Sequence, residues 1–213
     1  MKKPRVLLAD DHRILAEGVR GLLEPEFELV GIVADGRELV EAAIELRPDV
    51  VVADISMPSL NGIDAAAQIR QAGVSSRVVF LTMQRDVSYA RRAMEAGAYG
   101  YVLKHSAHDE LVKAIREALL GQTYVSPLIA GELLRSYREE GPRPPDAAPR
   151  LTPRQREVLQ LSAEGRSAKQ VASLLHISVR TAEFHRASVM KVLGVMTAAE
   201  LVQYAIRNGL ISV

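Results

Sequence analysis

The stretch VVADISMPSLNG, residues 51–62, decides the fold, because a short apolar run stops at one acid, Asp54, and a loop follows. The run has no polar alternation, which is typical of a parallel strand covered on both faces. The proline and glycine that follow Asp54 predict a turn or loop. A buried strand that ends in this way holds its carboxylate rigidly, while the loop leaves the carboxylate open to a reaction partner.

Four similar apolar runs share the first 121 residues with five amphipathic stretches, among them RELVEAAIELR and GIDAAAQIRQ. The amphipathic stretches have the period of α-helices. Strands that alternate with helices predict an α/β domain with a doubly wound, five-stranded parallel sheet. The predicted strands are residues 6–9, 29–34, 50–53, 78–81 and 101–103.

The second half of the chain is organised differently. The segment REEGPRPPDAAP, residues 138–149, predicts a proline-stiffened linker, which a short helical pattern over 127–137 precedes. Beyond it the periodicity is purely helical and predicts a smaller all-α domain of four helices. We therefore expect a first domain over 1–121, a linker over 122–149 and a helical domain over 150–213.

Charge and composition separate the two domains and exclude several protein classes. Residues 1–121 have a net charge of −3 and residues 150–213 a net charge of +5, so the second domain is suited to a polyanionic partner. The absence of cysteine excludes disulfides and thiolate metal sites. No run of about 18 apolar residues occurs, which predicts a cytoplasmic protein without a membrane partner. The sequence has no phosphate-binding glycine loop, and its histidines lack the spacing of zinc motifs.

Polar side chains stand where four of the predicted strands end. In a doubly wound sheet, the carboxyl ends of the strands meet at one edge, where functional groups collect. Carboxylates held close together favour a hard divalent cation, and a lysine opposite them suits a phosphate. Taken singly, each residue has an ordinary explanation, such as a helix cap for an acid. Taken together they predict phosphoryl transfer to a carboxylate. The residues are Asp10, Asp11, Asp54, Thr82 and Lys104.

The motifs LLADDH, DISMPSLNG, FLTMQ and YVLK occur in this order within residues 4–121. With them the domain resembles the receiver domain of bacterial response regulators, which has a flavodoxin-like fold. The resemblance implies that Asp54 accepts a phosphoryl group from a sensor histidine kinase. It also implies that Lys104 and Thr82 bind the phosphoryl oxygens and that Tyr101 is the aromatic residue that rotates on activation.

The same resemblance implies Mg²⁺ as the divalent cation that phosphorylation needs. Asp11 and Asp54 would bind the ion through their side chains, and the Ser56 carbonyl would be a further ligand. Asp10 would act through a water molecule. The four metal-site residues therefore come from the ends of two strands and from the loop behind Asp54.

The second domain contains the string SAKQVASLLHISVRTAEFHRASVMKVLG, which predicts a helix, a short turn and a longer helix. Ser167 and Ser178 stand at the predicted N-caps. The longer helix has a basic face, and in a helix-turn-helix this helix lies in the major groove of DNA. Taken alone, a basic face is just as typical of a helix that simply faces water.

The wider string from LTPRQ to KVLGV resembles the LuxR-type DNA-binding domain of the NarL/FixJ family over residues 150–213. The resemblance implies a scaffold helix near 168–175, a recognition helix near 180–193 and a dimerisation helix over 198–208. Three candidate residues would face the groove, namely Glu183, Phe184 and Ala187. Candidates on the same helix for contacts nearer the phosphates are Arg180, Thr181, Arg186 and Lys191.

These observations together predict a DNA-binding response regulator of the NarL/FixJ family, not an enzyme, that forms a homodimer when phosphorylated. Two alternatives remain open at this point. One is a dimeric transcription factor that works without phosphorylation. The other is an aspartate-based phosphatase, which is the weaker alternative because such enzymes have a second Asp two residues after the nucleophile, where this chain has Ser56.

Overall fold

The computed structural model describes residues 2–140 and 151–211, which belong to two compact units. The first unit contains the strands and helices α1–α6, and the second contains helices α7–α10. The strands are β1 (Arg5–Ala9), β2 (Glu28–Val33), β3 (Val50–Ala53), β4 (Arg77–Thr82), β5 (Gly100–Leu103) and β6 (Tyr124–Val125). The helices are α1 (Arg13–Leu23), α2 (Gly36–Leu46), α3 (Gly62–Gln71), α4 (Val87–Glu95), α5 (Ala107–Leu119), α6 (Pro127–Glu140), α7 (Pro153–Ala163), α8 (Ala168–Leu174), α9 (Val179–Leu193) and α10 (Ala198–Arg207).

The sheet is parallel throughout, in the order β2-β1-β3-β4-β5-β6. The strand order reverses between β1 and β3, so the switch point of the sheet lies beyond their carboxyl ends. The predicted doubly wound α/β fold is confirmed. The sheet has six strands where the sequence predicts five, because β6 has only two residues and is too short to show a period.

Burial on both faces of the sheet explains why the strands show no polar alternation. On one face Val6, Leu8 and Val52 pack into a common core with buried residues of α1 and α5. Leu7 and Phe80 point to the other face and are also fully buried. The rigid centre of the sheet therefore lies directly behind the strand ends that carry the predicted site.

Residues 122–140, part of the predicted linker, are folded as part of the first unit. β6 pairs with β5, and α6 packs against α4 with Ile129 and Leu133 buried. Ser126 lies between β6 and α6, and its N–H donates to the Tyr101 carbonyl at 2.9 Å. Its Oγ accepts a hydrogen bond from the Leu103 N–H at 3.1 Å. Residues 141–149 of the predicted linker lie outside the described residues, and the domain boundaries at 121 and 150 stay a prediction.

The second unit consists of the four predicted helices. Ser167 and Ser178 cap α8 and α9 through their side chains, as the sequence predicts. Leu161 and Ala182 belong to a cluster shared by α7, α8 and α9, and Val189 to a second cluster that includes α10. Within the two described ranges, no single helix has the length and apolar composition to cross a membrane, and α9 with α10 meets that test only as a pair bent by 69°.

Candidate functional site

The carboxyl ends of the strands bring the predicted charged residues together. The N–H of Asp54 donates to the Ala9 carbonyl at 2.9 Å, so sheet pairing continues up to the acid. Lys104 Nζ lies 2.7 Å from Asp54 Oδ2 and 2.8 Å from Asp10 Oδ2. All three side chains are buried, with exposed fractions of 4%, 5% and 1% for Lys104, Asp54 and Asp10. The site is therefore built around one buried lysine that contacts two buried carboxyl groups.

Burial and charge oppose one another in this group. Burial raises the pKa of Asp54, and the nearby Lys104 ammonium only partly offsets the effect. Burial lowers the pKa of Lys104, but the charges of Asp54 and Asp10 outweigh it and leave that pKa above its usual value. Lys104 is therefore a firmly held cation, and it faces more carboxyl groups than it can neutralise.

The loop behind Asp54 fixes the direction of its side chain. Asp54 Oδ1 accepts hydrogen bonds from the N–H groups of Ile55 at 2.6 Å and Ser56 at 3.3 Å. The loop closes where the Gly62 N–H donates to the Ile55 carbonyl at 2.8 Å. A Cβ at Gly62 would overlap the Asp54 carbonyl oxygen and lie only 3.2 Å from Ile55 Cα. Glycine is therefore the residue that lets the loop fold back onto the acid.

An acidic cluster surrounds the outer side of Asp54. One possible ligand atom from each of Asp10, Asp11, His12 and Asp54 lies within 4.8 Å of the others. Asp11 Oδ1 is buried, and His12 Nδ1 lies 2.8 Å from it. Several carboxylate oxygens this close together fit a divalent cation, since hard cations prefer oxygen ligands. The acidic pocket can therefore hold a divalent metal ion.

Thr82 and Tyr101 are joined through Gln84. Thr82 Oγ1 accepts a hydrogen bond from the Gln84 N–H at 3.2 Å, and the Tyr101 hydroxyl donates to the Gln84 carbonyl at 2.9 Å. The Gln84 side chain reaches Ser56, with Nε2 3.4 Å from Oγ. Thr82 and Tyr101 are both fully buried. A movement of Thr82 would therefore shift Gln84, and with it the contacts that Gln84 makes with Tyr101 and with the loop behind Asp54.

The predicted DNA contacts lie on α9. Phe184 is 70% exposed, which is unusual for a ring of this size in a folded domain. Ala182 and Val189 on the same helix are instead buried in the helical core, whereas Val192 is exposed. Of the other candidates, Thr181 and Arg186 are half-buried, and Arg180, Glu183, Ala187 and Lys191 are exposed.

Comparison with known families decides what kind of protein carries these two sites. A profile of the response regulator receiver domain matches residues 6–116, and a profile of the luxR family of bacterial regulatory proteins matches residues 149–205. The chain belongs to the LuxR-type response regulators. This response regulator is a DNA-binding protein of two-component systems, with a receiver domain and a LuxR-type helix-turn-helix domain. Its family regulates transcription and is not a family of enzymes, so the phosphatase alternative is set aside.

Relatives and solved structures agree with this assignment. The response regulator is 38% identical over 212 residues to the transcriptional regulatory protein MctR of Rhizobium johnstonii, covering 99% of this chain and 96% of MctR. A LuxR-family response regulator from Aurantimonas superposes with a TM-score of 0.61 at 40% identity, over 65% of this chain and 100% of that one. RcsB of Salmonella typhimurium superposes with a TM-score of 0.65 at 28% identity, over 96% and 97% of the two chains. A structure of an RcsB–DNA complex matches with a TM-score of 0.59 at 28% identity, over 95% and 98%.

Three residues of the response regulator escaped the sequence analysis. His12 lies in the acidic cluster, and its signal was its position directly behind two acids at a strand end. Gln84 takes part largely through its backbone, which leaves no pattern in the sequence. Ser126 is a fully buried serine whose partners come from β5 and α5, so no local pattern reveals it.

Proposed function

We propose that Asp54 accepts a phosphoryl group from a sensor histidine kinase and that this modification controls dimerisation and promoter binding. The observation that carries the proposal is the 2.7 Å contact between Lys104 Nζ and Asp54 Oδ2 in a buried group. A cation held there can receive the charge that arrives with a phosphoryl group. A cytoplasmic location is part of the proposal, because the promoter DNA lies in the cytoplasm of a bacterium.

In the proposed reaction, a carboxylate oxygen of Asp54 attacks the phosphorus atom of a phosphohistidine. The new O–P bond forms as the P–N bond breaks, and the departing histidine nitrogen keeps the electron pair. The N–H groups of Ile55 and Ser56 hold one oxygen of Asp54 in place, which keeps the nucleophile oriented. Lys104 and Thr82 would then bind the phosphoryl oxygens.

We further propose that the divalent ion is Mg²⁺, held by Asp11, Asp54 and the Ser56 carbonyl, with Asp10 acting through a water molecule. When bound, Mg²⁺ reduces the repulsion between the attacking carboxylate and the phosphoryl oxygens. The closeness of carboxylate oxygens from Asp10, Asp11 and Asp54 supports this assignment, since a hard cation prefers oxygen ligands.

Phosphorylation would reach the rest of the domain through the hydrogen bonds around Gln84. If Thr82 turns to a phosphoryl oxygen, its bond with the Gln84 N–H is lost, and the Gln84 carbonyl that Tyr101 contacts is free to move. Tyr101 is the proposed switch residue, and its carbonyl also accepts the hydrogen bond from Ser126 at the start of α6. Hydrogen bonds therefore lead from Asp54 through Ser56, Gln84 and Tyr101 to Ser126, and so towards β5 and α6.

The proposed output is binding of a dimer to two half-sites, with α9 in the major groove and α10 available for dimerisation. Glu183, Phe184 and Ala187 would face the bases. Arg180, Thr181, Arg186 and Lys191 would lie nearer the phosphates. The exposure of Phe184, a ring that the domain's own core does not cover, supports this orientation of α9.

Incubation of the whole chain with acetyl phosphate and Mg²⁺ tests the proposal. Intact-protein mass spectrometry should show the gain of one phosphoryl group in the wild type and in Asp109→Ala, a control on the exposed start of α5, but not in Asp54→Ala. Equal labelling of Asp54→Ala would reject the site. Equal DNA affinity with and without the phosphodonor would instead support the phosphorylation-independent factor.

A further inference from the structure

We propose that Arg91 of α4 is a latch that holds the end of α6 on α4 until phosphorylation of Asp54 releases it. This inference rests on the proposed function, because it adds a regulatory contact to the same switch. Arg91 is only 5% exposed, and the proposed phosphoryl transfer does not use it. Because a buried charge costs free energy unless it is paired and hydrogen-bonded, the contacts of its guanidinium indicate its role.

The contacts of Arg91 join two helices. Its Nε donates a hydrogen bond to Glu95 Oε1 at 3.0 Å, within α4. Its Nη1 donates to the Ser136 carbonyl of α6 at 3.4 Å, and its guanidinium carbon lies 5.1 Å from the centre of the Tyr137 ring, also in α6. A cation at this distance from an aromatic face is attracted to it. The guanidinium therefore binds a backbone carbonyl and a ring close to the end of α6.

The two ends of α6 are held by different kinds of contact. At its start, Ser126 bonds to β5, and Ile129 and Leu133 are buried. Within the described range 134–139, which follows Leu133, no side chain is buried. The contacts with Arg91 therefore hold the part of α6 that apolar packing does not, and this part can open while the start stays in place.

The position of Arg91 depends on the hydrogen bonds of the switch. Gln84, whose N–H donates to Thr82 Oγ1 at 3.2 Å, lies two residues before Asp86, the N-cap of α4. Helix α4 also packs against β5, which carries Tyr101. If Thr82 turns to a phosphoryl oxygen, Gln84 loses this bond, and the start of α4 shifts with it. A contact made in only one of two conformations opposes the other, so the Arg91 contacts restrain the switch.

Hydrogen exchange of the whole chain, followed by mass spectrometry, measures how firmly the end of α6 is held. Tyr137→Leu removes the aromatic face but keeps an apolar side chain. The protection factors of amides 134–139 should therefore fall about two- to fivefold, the range expected for a partly exposed cation–π contact. Tyr137→Phe keeps the ring and should keep the wild-type protection. Arg91→Gln, which removes the cation from the other helix, should lower protection in the same segment.

A matched control lies on the same helix. Leu134 is 60% exposed, so Leu134→Ala should leave the protection of the segment unchanged. Amides of α2 serve as the internal reference, because a change in overall stability would affect them as well. Treatment of the wild type with acetyl phosphate and Mg²⁺ should lower protection in 134–139 at least as much as Tyr137→Leu does, and the same treatment of Asp54→Ala should not.

The outcomes separate the latch from the proposed function. If mass spectrometry shows Asp54 phosphorylated while protection of 134–139 stays unchanged or rises, the latch is wrong and the proposed function stands. If Asp54 is not phosphorylated, the proposed function fails, and the latch fails with it. Wild-type protection in Tyr137→Leu would also overturn the latch, because the contact would then hold nothing. Loss of protection in Tyr137→Leu and in the treated wild type, but not in Tyr137→Phe or treated Asp54→Ala, establishes it.

Discussion

At the scale of single residues, the site depends on how closely a few atoms approach Asp54. Lys104 holds one carboxylate oxygen and the N–H groups of Ile55 and Ser56 hold the other, so the side chain has little freedom left. Gly62 makes this arrangement possible, because only a residue without a Cβ fits against the Asp54 carbonyl. The reactive group is thus positioned by backbone geometry as much as by its ion pair.

Gly62→Ala should therefore displace Asp54 and lower both stability and labelling. The added methyl group overlaps backbone atoms that cannot rotate away, which costs about 1–3 kcal/mol. Urea denaturation measures the loss, and labelling by acetyl phosphate should slow in parallel. The control is Gly18→Ala in α1, where a Cβ meets nothing within 4 Å, and which should stabilise the protein by about 0.5–1 kcal/mol. Similar results for the two variants would contradict the steric argument.

Asp54→Asn should raise the free energy of unfolding at neutral pH when no divalent ion is added. The folded protein has a raised pKa for Asp54, so it holds that proton more tightly than the unfolded chain does. The stability linked to this group is therefore full below its ordinary pKa of 3.8 and is lost as the pH rises through the raised value.

Asn at position 54 carries no charge, so the variant does not lose this stability as the pH rises. A thermal melt at neutral pH without divalent ions measures the resulting gain in stability. The exposed Asp109→Asn should change stability by no more than about 0.5 kcal/mol. Addition of Mg²⁺ should stabilise the wild type but not Asp54→Asn. Destabilisation of Asp54→Asn without divalent ions would show that the pair with Lys104 outweighs burial.

At the scale of secondary-structure elements, α6 is attached to the strand that leads to Lys104. Ser126 bonds to Tyr101 and Leu103 of β5, and its hydroxyl also contacts the Glu110 carboxylate. Farther along, the Arg91 guanidinium of α4 lies 5.1 Å from the centre of the Tyr137 ring of α6. Helix α6, the last element of the first unit, is thus held at both its start and its end.

Ser126→Ala should loosen the join between β5, β6 and α6. The change leaves the buried N–H of Leu103 without its acceptor, which costs about 1–3 kcal/mol. Urea denaturation measures the change in unfolding free energy. The matched control is Ser136→Ala within α6, where the hydroxyl only bonds back to the Leu133 carbonyl of its own helix. That change should stay within about 0.5 kcal/mol, and an equally small effect of Ser126→Ala would contradict the proposed role of Ser126.

Substitutions on α9 should distinguish a residue that recognises DNA bases from a residue that contacts the DNA phosphates. Phe184→Ala removes an exposed ring, so the unfolding free energy should change by less than about 0.5 kcal/mol while the preferred DNA sequence changes. Arg186→Ala should weaken binding to all sequences alike, because a phosphate contact carries no base information. Selection from a randomised DNA pool measures both effects. Identical sequence preferences for the two variants and the wild type would contradict the assignment of Phe184.

At the scale of the whole molecule, an acidic unit that receives a signal is joined to a basic unit that binds DNA. Sequence reasoning predicted the sheet and its charged edge, because apolar runs without alternation imply parallel strands and parallel strands end together. It missed β6 because a strand of two residues is too short to show a period. It predicted that the helix over 127–137 ends before the proline-rich segment that begins at residue 138, whereas α6 extends to Glu140. It missed His12 because that contact exists only once the strand end and the start of α1 have folded.

Phosphorylation should make DNA binding more sensitive to salt. Each DNA phosphate that the protein neutralises contributes about −0.9 to the slope of log K against log salt concentration, and a dimer neutralises twice as many as a monomer. Fluorescence anisotropy over a range of salt concentrations should give about twice the slope after treatment with acetyl phosphate. Asp54→Ala should keep the lower slope in either condition. Equal slopes for the treated and untreated wild type would mean that phosphorylation does not change the number of subunits on the DNA.

The short strand β6 also has a consequence for the behaviour of the protein at high concentration. Without it, the backbone of β5 would form an open border of the sheet, onto which a strand from another molecule could add. β6 pairs with this edge of β5, and because it has only two residues, it offers too little backbone for a strand of another molecule to pair with. On this side β6 therefore protects the sheet against edge-to-edge association with other molecules, and β5, which leads to Lys104, remains an interior strand.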